Sequence, residues 1–260
     1  MGLMSGKKGL VIGVANDRSY AWHIAHSLKA HGAELMFTHL PGDKMERRVR
    51  SAVSELEIEN PWLRPLDATD EAGMQSVFGE AAQHGGGSID FLVHSIAFAD
   101  KDYLEVGKFI DTPRDAYLQA VEVSAYTLLS MARAAKPHMS NGGSILGMTY
   151  YGAEKVVPGY NVMGVAKSAL ESTCRYLASD LGRSKIRVNT ISGGPLKTLS
   201  AMGVGGFSKM LDFVESRAPL GRNIEGGEVG DTAVWLLSDL STGVTGQNIF
   251  VDAGYCAMGM

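Results

Sequence analysis

Short apolar runs of strand type alternate with helical segments along the whole chain, and no other feature restricts the fold as much. Leu10-Val-Ile-Gly13 is a short apolar run that ends in glycine. Ala21, Ile24, Ala25 and Leu28 follow at helical spacing, and Gly32 closes that helix. Further strands are expected over Glu34–His39, Trp62–Leu66, Ile89–Ile96, Ser144–Thr149, Ile186–Ile191 and Asn248–Asp252. One long helix is expected from about Arg114 to Met139, with Leu118, Val121, Ala125, Leu128 and Ala132 at compatible spacing. A second occupies roughly Tyr160 to Leu181. Strands separated by helices pair in parallel and carry helices on both faces. The expected class is therefore α/β, a doubly wound parallel sheet.

Bulk properties narrow the function. With 260 residues, 45% hydrophobic and 20% charged, the chain can bury a large core. No Pro- or Ser-rich linker and no repeat divides it, so residues 1–260 are expected to form one Rossmann-type domain. A net charge of −4 gives no reason to expect a nucleic-acid partner, which demands clustered Lys and Arg. No apolar run reaches the roughly 20 residues that span a bilayer. Met1 to Lys8 lacks the apolar stretch of a signal peptide. The two cysteines, Cys174 and Cys256, read as ordinary thiols rather than a disulfide framework. A cytoplasmic protein without a membrane partner is the expectation. The least regular stretch, Gly193 to Gly227, is glycine-rich and holds Pro195 and Pro219. Long irregular segments in compact domains are usually functional, and a lid is expected there.

In doubly wound sheets a ligand sits beyond the carboxyl ends of the strands, where strand order reverses. Gly13 ends the first strand, and glycine lets the backbone approach a phosphate. Ser19 can cap the following helix, whose free N–H groups receive an anion. The spacing is not Gly-x-Gly-x-x-Gly, and a tight turn with an N-cap produces the same residues. Three more strand ends add weight. Asp67 can accept from an adenine amino group, Ser95-Ile96-Ala97 is small enough for a cofactor to pass, and Gly193-Gly-Pro195 leads into the lid. After the second strand, Thr38-His39-Leu40 lacks the acid that usually binds a ribose 2′-hydroxyl. Lys44, Arg47 and Arg48 read as a solvated basic face, with contact to a 2′-phosphate as the alternative.

The chemistry is expected at Tyr150, Tyr160 and Lys167. Tyr160 and Lys167 are seven positions apart, two turns of one helix, so both side chains point the same way. An ammonium beside a phenol favours the phenolate, so the Tyr160 pKa is expected to fall toward neutrality. A half-buried ring and a snorkelling stem would look the same, and the strand ends above argue against that.

These motifs resemble the short-chain dehydrogenase/reductase superfamily, and within it the divergent branch of bacterial enoyl-acyl-carrier-protein reductases. The resemblance covers essentially the whole chain. It rests on Gly13-Val-Ala with Ser19, His94-Ser-Ile-Ala-Phe-Ala99, Tyr150-x-Gly-Ala-Glu154, Tyr160-Asn-Val-Met-Gly-Val-Ala-Lys167, Gly194-Pro-Leu-Lys-Thr-Leu199 and Val251-Asp-Ala-Gly254. Ordinary members of the superfamily use Tyr-x3-Lys, and Gly164 stands where that Lys would be. They also carry Ser thirteen residues before the Tyr, and here that position is Gly147.

The resemblance implies NADH-dependent reduction of the trans-2 double bond of an enoyl thioester, ending a fatty-acid elongation cycle. NADH gives hydride to the β-carbon, Tyr160 stabilises the enolate oxygen, and Lys167 binds the nicotinamide ribose. Gly13, Ser19, Tyr20, Leu40, Asp67, Ala68, Ile96, Leu196, Lys197, Thr198, Leu199 and Ser200 are the implied cofactor residues. Ala99, Tyr150, Tyr160, Met163 and Phe207 are the implied substrate residues, under a mobile lid over about 198–214. The implied partners are an acidic acyl carrier protein, met transiently, and other copies of the chain in a homotetramer. Family members often carry several basic residues on the lid. Here Lys209 is alone there, with Lys197 and Arg222 as further candidates. A carbonyl reductase of the same superfamily and a non-catalytic dinucleotide-binding protein are the competing readings. Gly147 and the Tyr-x6-Lys spacing oppose the first, and the presence of Tyr160 and Lys167 opposes the second.

Overall fold

The structure, a computed structural model, describes residues 2–198 and 207–259. Its strands are β1 (Lys8–Ile12), β2 (Glu34–His39), β3 (Trp62–Pro65), β4 (Phe91–His94), β5 (Gly143–Thr149), β6 (Ile186–Gly193) and β7 (Asn248–Val251). They form one sheet in the order β3-β2-β1-β4-β5-β6-β7, with every neighbouring pair parallel. Successive strands are laid down outward in one direction through β3, and β4 returns to the other side of β1. That reversal opens a crevice between β1 and β4 at their carboxyl ends.

The helices among the described residues are α1 (Tyr20–Ala30), α2 (Asp43–Ser54), α3 (Glu71–His84), α4 (Arg114–Val121), α5 (Thr127–Ala135), α6 (Asn161–Leu181), α7 (Phe207–Arg217) and α8 (Gly226–Leu237). α1, α2 and α8 pack on one face of the sheet and α3, α5 and α6 on the other. The side-chain alternation of β1 shows why the strand is apolar throughout. Val11 enters the first layer, while Leu10 and Ile12 enter the second. A buried side chain of this kind contributes roughly 1.5–3 kcal/mol by leaving water, which fixes the register.

All seven expected strands are present, with ends displaced by a few residues. The helix expected from Arg114 to Met139 is broken up instead. α4 ends at Val121, a π turn covers Glu122–Tyr126, and α5 stops at Ala135 before a 3-10 turn containing Pro137. Proline lacks the N–H that would continue the ladder, and apolar spacing cannot register the extra residue of a π turn.

The stretch from Gly193 to Gly227, expected to be irregular, contains the whole of α7. The glycines that open α8 resemble a loop in sequence, yet they serve close packing. A Cβ on Gly226 would collide with the His23 ring, and one on Gly230 with the backbone and side chain of α1. A reciprocal capping box between Glu225 and Glu228 starts this helix. No helix among the described residues is long and apolar enough to cross a membrane.

Candidate active site

A cleft of about 400 Å³ lies at the crevice between β1 and β4. It gathers Gly13, Ser19, Tyr20, Ile96, Ala99, Tyr150, Tyr160, Met163, Lys167, Leu196 and Thr198 from five places in the chain.

At the β1–α1 end the cleft is made of backbone. Gly13 has φ +111, and a Cβ there would collide with the Ser95 carbonyl oxygen. Only glycine both adopts that backbone and clears β4. Ser19 is the N-cap of α1: its Oγ accepts from Trp22 N at 3.3 Å and donates to Asn16 O at 2.7 Å. The Tyr20 hydroxyl donates to the Gly194 carbonyl, and a Cβ on Gly193 would stand 2.9 Å from the Tyr20 ring. The turn after β1 is thereby tied to the turn after β6. A helix N-terminus beside a glycine turn favours an anion, as a dinucleotide pyrophosphate requires.

At the β5–α6 end the cleft is made of ionisable side chains. Tyr160 directly precedes α6, whose first residue, Asn161, has a left-handed φ of +46. The two residues are therefore not two regular turns apart on one helix, yet both line the cleft. Lys167 is 6% exposed and donates to the Met148 carbonyl at 2.7 Å. Burial pulls its pKa down to about 8, opposed by the charge of Glu171 one turn further along α6. Glu171 is itself buried and accepts from Thr149 Oγ1 at 2.7 Å and Asn248 Nδ2 at 3.3 Å. Burial raises its pKa, and the Thr149 hydrogen bond works against that.

The expected lowering of the Tyr160 pKa does not occur. Burial raises it, with Tyr150, Tyr20 and Glu171 adding to the effect. The reason is burial, which penalises the phenolate, while the Lys167 ammonium donates to the Met148 carbonyl. Tyr160 is thus a neutral phenol, a hydrogen-bond donor. Among the described residues its hydroxyl has no partner. The Tyr150 ring meets that of Tyr160 edge-on, with centroids 5.0 Å apart, and its hydroxyl donates to Met210 Sδ at 3.2 Å. Burial raises its pKa as well.

Glycine makes room for Tyr160. A Cβ on Gly152 would collide with the Tyr160 ring, and one on Gly164 would stand 2.7 Å from the Gly152 carbonyl oxygen. A lysine at 164, as Tyr-x3-Lys would need, has no space. Gly147 does not stand where a proton-relay serine would act. Its open side faces Thr190, Leu128 and Leu170 in the core, so position 147 is not a cleft position at all. The cleft lining at the end of β5 begins at Met148 and includes Tyr150.

Leu40, Asp67, Ala68 and Lys197 do not line this cleft. Asp67, at the end of β3, is exposed and accepts from Thr69 N at 2.9 Å and Thr69 Oγ1 at 2.7 Å, which holds its carboxyl below the usual range. Leu40 is 55% exposed beyond β2. Leu199 and Ser200 lie outside the described residues, as do 199–206 of the expected lid and the side chain of Phe207. Sequence reasoning missed Asn16, Lys101, Leu104, Met148 and Thr149 in the lining, and Glu171 behind it. Glu171 had a legible signal: a carboxylate four residues after a lysine on one helix face.

The chain matches the family model described as enoyl-(acyl carrier protein) reductase over residues 13–256. It is 50% identical over 259 residues to the enoyl-(acyl carrier protein) reductase (NADH) FabI of Bacillus cereus, covering 100% of both chains. The Bacillus cereus reductase solved with NADP+ and an indole naphthyridinone superposes with a TM-score of 0.96 at 50% identity, covering 100% of each chain. The reductase of Anaplasma phagocytophilum solved with NAD gives a TM-score of 0.94 at 45% identity, covering 100% of this chain and 97% of that one.

Proposed function

The chain belongs to the enoyl-(acyl carrier protein) reductase family, and we propose that this cleft carries out NADH-dependent reduction of the trans-2 double bond of an enoyl thioester, the last step of a fatty-acid elongation cycle. The observation that carries the reading is the meeting of the Tyr160 phenol and the Lys167 ammonium in one cleft beyond the Gly13 turn. The Gly13 turn and the capped N-terminus of α1 fit a dinucleotide pyrophosphate.

Bound NADH supplies the hydride that adds to the β-carbon of the enoyl chain. Tyr160 donates its hydroxyl proton in a hydrogen bond to the thioester oxygen, where negative charge gathers. Burial keeps that phenol protonated, the form that donates. The enolate then collapses and the α-carbon takes a proton from solvent water, which leaves the Tyr160 phenol protonated. Lys167 would bind the nicotinamide ribose hydroxyls with the donors that the Met148 carbonyl leaves over, a positioning role. Gly13, Ser19, Tyr20, Ile96, Leu196 and Thr198 would hold the dinucleotide from the cleft lining, with Lys197, Leu199 and Ser200 added by family likeness. Leu40, Asp67 and Ala68, further along the same sheet edge, take the adenine half. Tyr150, Met163, Ala99 and Phe207 shape the acyl side, and the stretch 198–214 acts as its lid. The contact from Tyr150 to Met210 of α7 supports that assignment.

The finer partners follow from the same reading. An acidic acyl carrier protein docks transiently near exposed Lys197 and Lys209. Arg222 is already engaged by both carboxylate oxygens of Glu228, at 2.9 and 2.7 Å. Exposed Tyr117 and Leu118 on α4 and Tyr176 on α6 support a homo-oligomer, a tetramer by family likeness. Two free thiols suit the cytoplasm.

The test sets a crotonyl thioester beside an acetoacetyl thioester, each with NADH and with NADPH. Oxidation of NADH by the crotonyl thioester alone is expected. Turnover of the ketone alone would overturn the reading.

A further inference from the structure

The segment between β4 and α4 crosses the mouth of the cleft with only two short 3-10 turns of regular structure, Lys101–Tyr103 and Phe109–Asp111. It nevertheless supplies Ala99, Lys101 and Leu104 to the lining. Two side chains fasten its backbone. Ser124, in the π turn, accepts from Phe98 N at 3.0 Å and donates to Phe98 O at 3.1 Å. Asn161 donates from Nδ2 to both Tyr103 O and Glu105 O, each at 2.7 Å. Between those two carbonyls lies Leu104, buried against Ala120, Val162, Met163 and Ala166. Asn161 is also the residue after Tyr160, and its φ of +46 is a conformation that asparagine adopts more readily than other non-glycine residues. One residue thus holds the acyl-side strip and sets the chain direction out of the phenol.

We propose that Asn161 is a positioning residue for the reduction, locking the strip Lys101–Glu105 to the turn that carries Tyr160, so that the thioester and its hydrogen-bond donor keep one register. The proposal rests on the enoyl-thioester reading above. Asn161 does not line the cleft and acts through Leu104 and Tyr160. Its two hydrogen bonds satisfy carbonyls that water could otherwise take, so their loss loosens the strip rather than unfolding the domain.

Two variants separate the backbone from the amide. Asn161→Gly keeps the left-handed backbone without strain and removes both donors. Asn161→Asp keeps the shape and turns an acceptor toward two carbonyl oxygens. Amide hydrogen exchange over residues 101–108 is measured with kcat and KM for an enoyl thioester and with the NADH dissociation constant. Both variants are expected to exchange faster over 101–108, by about tenfold or more, with Asp the more severe. Their kcat/KM is expected to fall by about tenfold or more. Their NADH affinity stays within about twofold of wild type, because the cofactor end is untouched. Wild-type exchange in Asn161→Gly, or faster exchange with unchanged kcat/KM, would overturn the proposal. Ser124→Ala is expected to leave exchange over 103–108 unchanged. Loosening that strip as much as Asn161→Gly does would also defeat the assignment. If the wild-type chain reduces no enoyl thioester, the functional reading fails, while the exchange comparison still decides whether Asn161 holds the strip.

Discussion

At the β1–α1 end of the cleft the lining is backbone, small side chains and the Tyr20 ring, whereas at the β5–α6 end Tyr150, Tyr160 and Lys167 dominate. The first end depends on close approach: Gly13 beneath Ser95, and the Gly193 backbone against the Tyr20 ring. No histidine, lysine or carboxylate lines the cleft there. The second end depends on desolvation, which drives the pKa of Lys167 down and those of Tyr150 and Tyr160 up. Substitutions at the first end should act through shape, at any pH. Substitutions at the second should act through charge and show a pH profile. A dinucleotide brings the same anionic linker in any reaction, so a rigid backbone cradle suits it. The reacting oxygen changes charge during turnover, so its partners must be protonated donors in a place with little water.

Tyr160→Phe should have the largest effect. It removes the proposed donor to the thioester oxygen and leaves the ring packed against Gly152. A fall in kcat of about 10²–10³ is expected, with NADH affinity unchanged by direct titration. A kcat within a few-fold of wild type would mean that another group stabilises the oxygen. Gly13→Ala comes next and probes the other end. The added methyl meets the Ser95 carbonyl in a backbone conformation that alanine resists. A loss of about 2–3 kcal/mol in stability is expected, together with weaker NADH binding. The loss should be the same at every pH between about 6 and 9, since no titrating group is involved. Denaturant unfolding at two pH values checks it, and a pH-dependent loss would erase the contrast between the two ends.

Much of this architecture was legible beforehand, and the exceptions share a cause. All seven strands could be read because a sheet covered on both faces needs apolar runs such as Leu10-Val-Ile12. α2 was hidden by its polarity: only Val49, Ala52 and Val53 are buried, and the rest faces water. α8 is masked in sequence by its glycines: it opens on Gly226 and Gly227, the end of the stretch expected to be irregular, and carries Gly230. At the site, Tyr150, Tyr160 and Lys167 were found as residues, but their electrostatics were not. The helix spacing of Tyr160 and Lys167 suggests an ion-stabilised phenolate. It cannot reveal that Met148 offers a carbonyl 2.7 Å from the ammonium, or that residue 161 turns left-handed. Glu171, Thr149 and Asn248 come from three separate elements, and their contact exists only after folding.

The smallest expected effect is the most discriminating, because binding and stability should move in opposite directions. Burial lowers the pKa of Lys167 from 10.5 to about 8, so the ammonium is lost as pH rises through that value. NADH affinity should be full below it and decline above it. Stability has the other sign. The unfolded chain holds this proton more tightly than the folded one, so the contribution of Lys167 to stability grows with pH between about 8 and 10.5. Loss of NADH binding in that window therefore cannot come from destabilisation by this group. His94, which also feels Lys167, is held neutral with a pKa of about 3 and adds no step. Glu171→Gln removes the charge that supports the ammonium, while the amide oxygen can still accept from Thr149. The decline in NADH affinity should then move to lower pH, by less than about one unit. Titration of NADH binding across this range, in wild type and in Glu171→Gln, decides the matter. Superimposable curves for the two proteins would remove Glu171 from any role in setting the charge of Lys167.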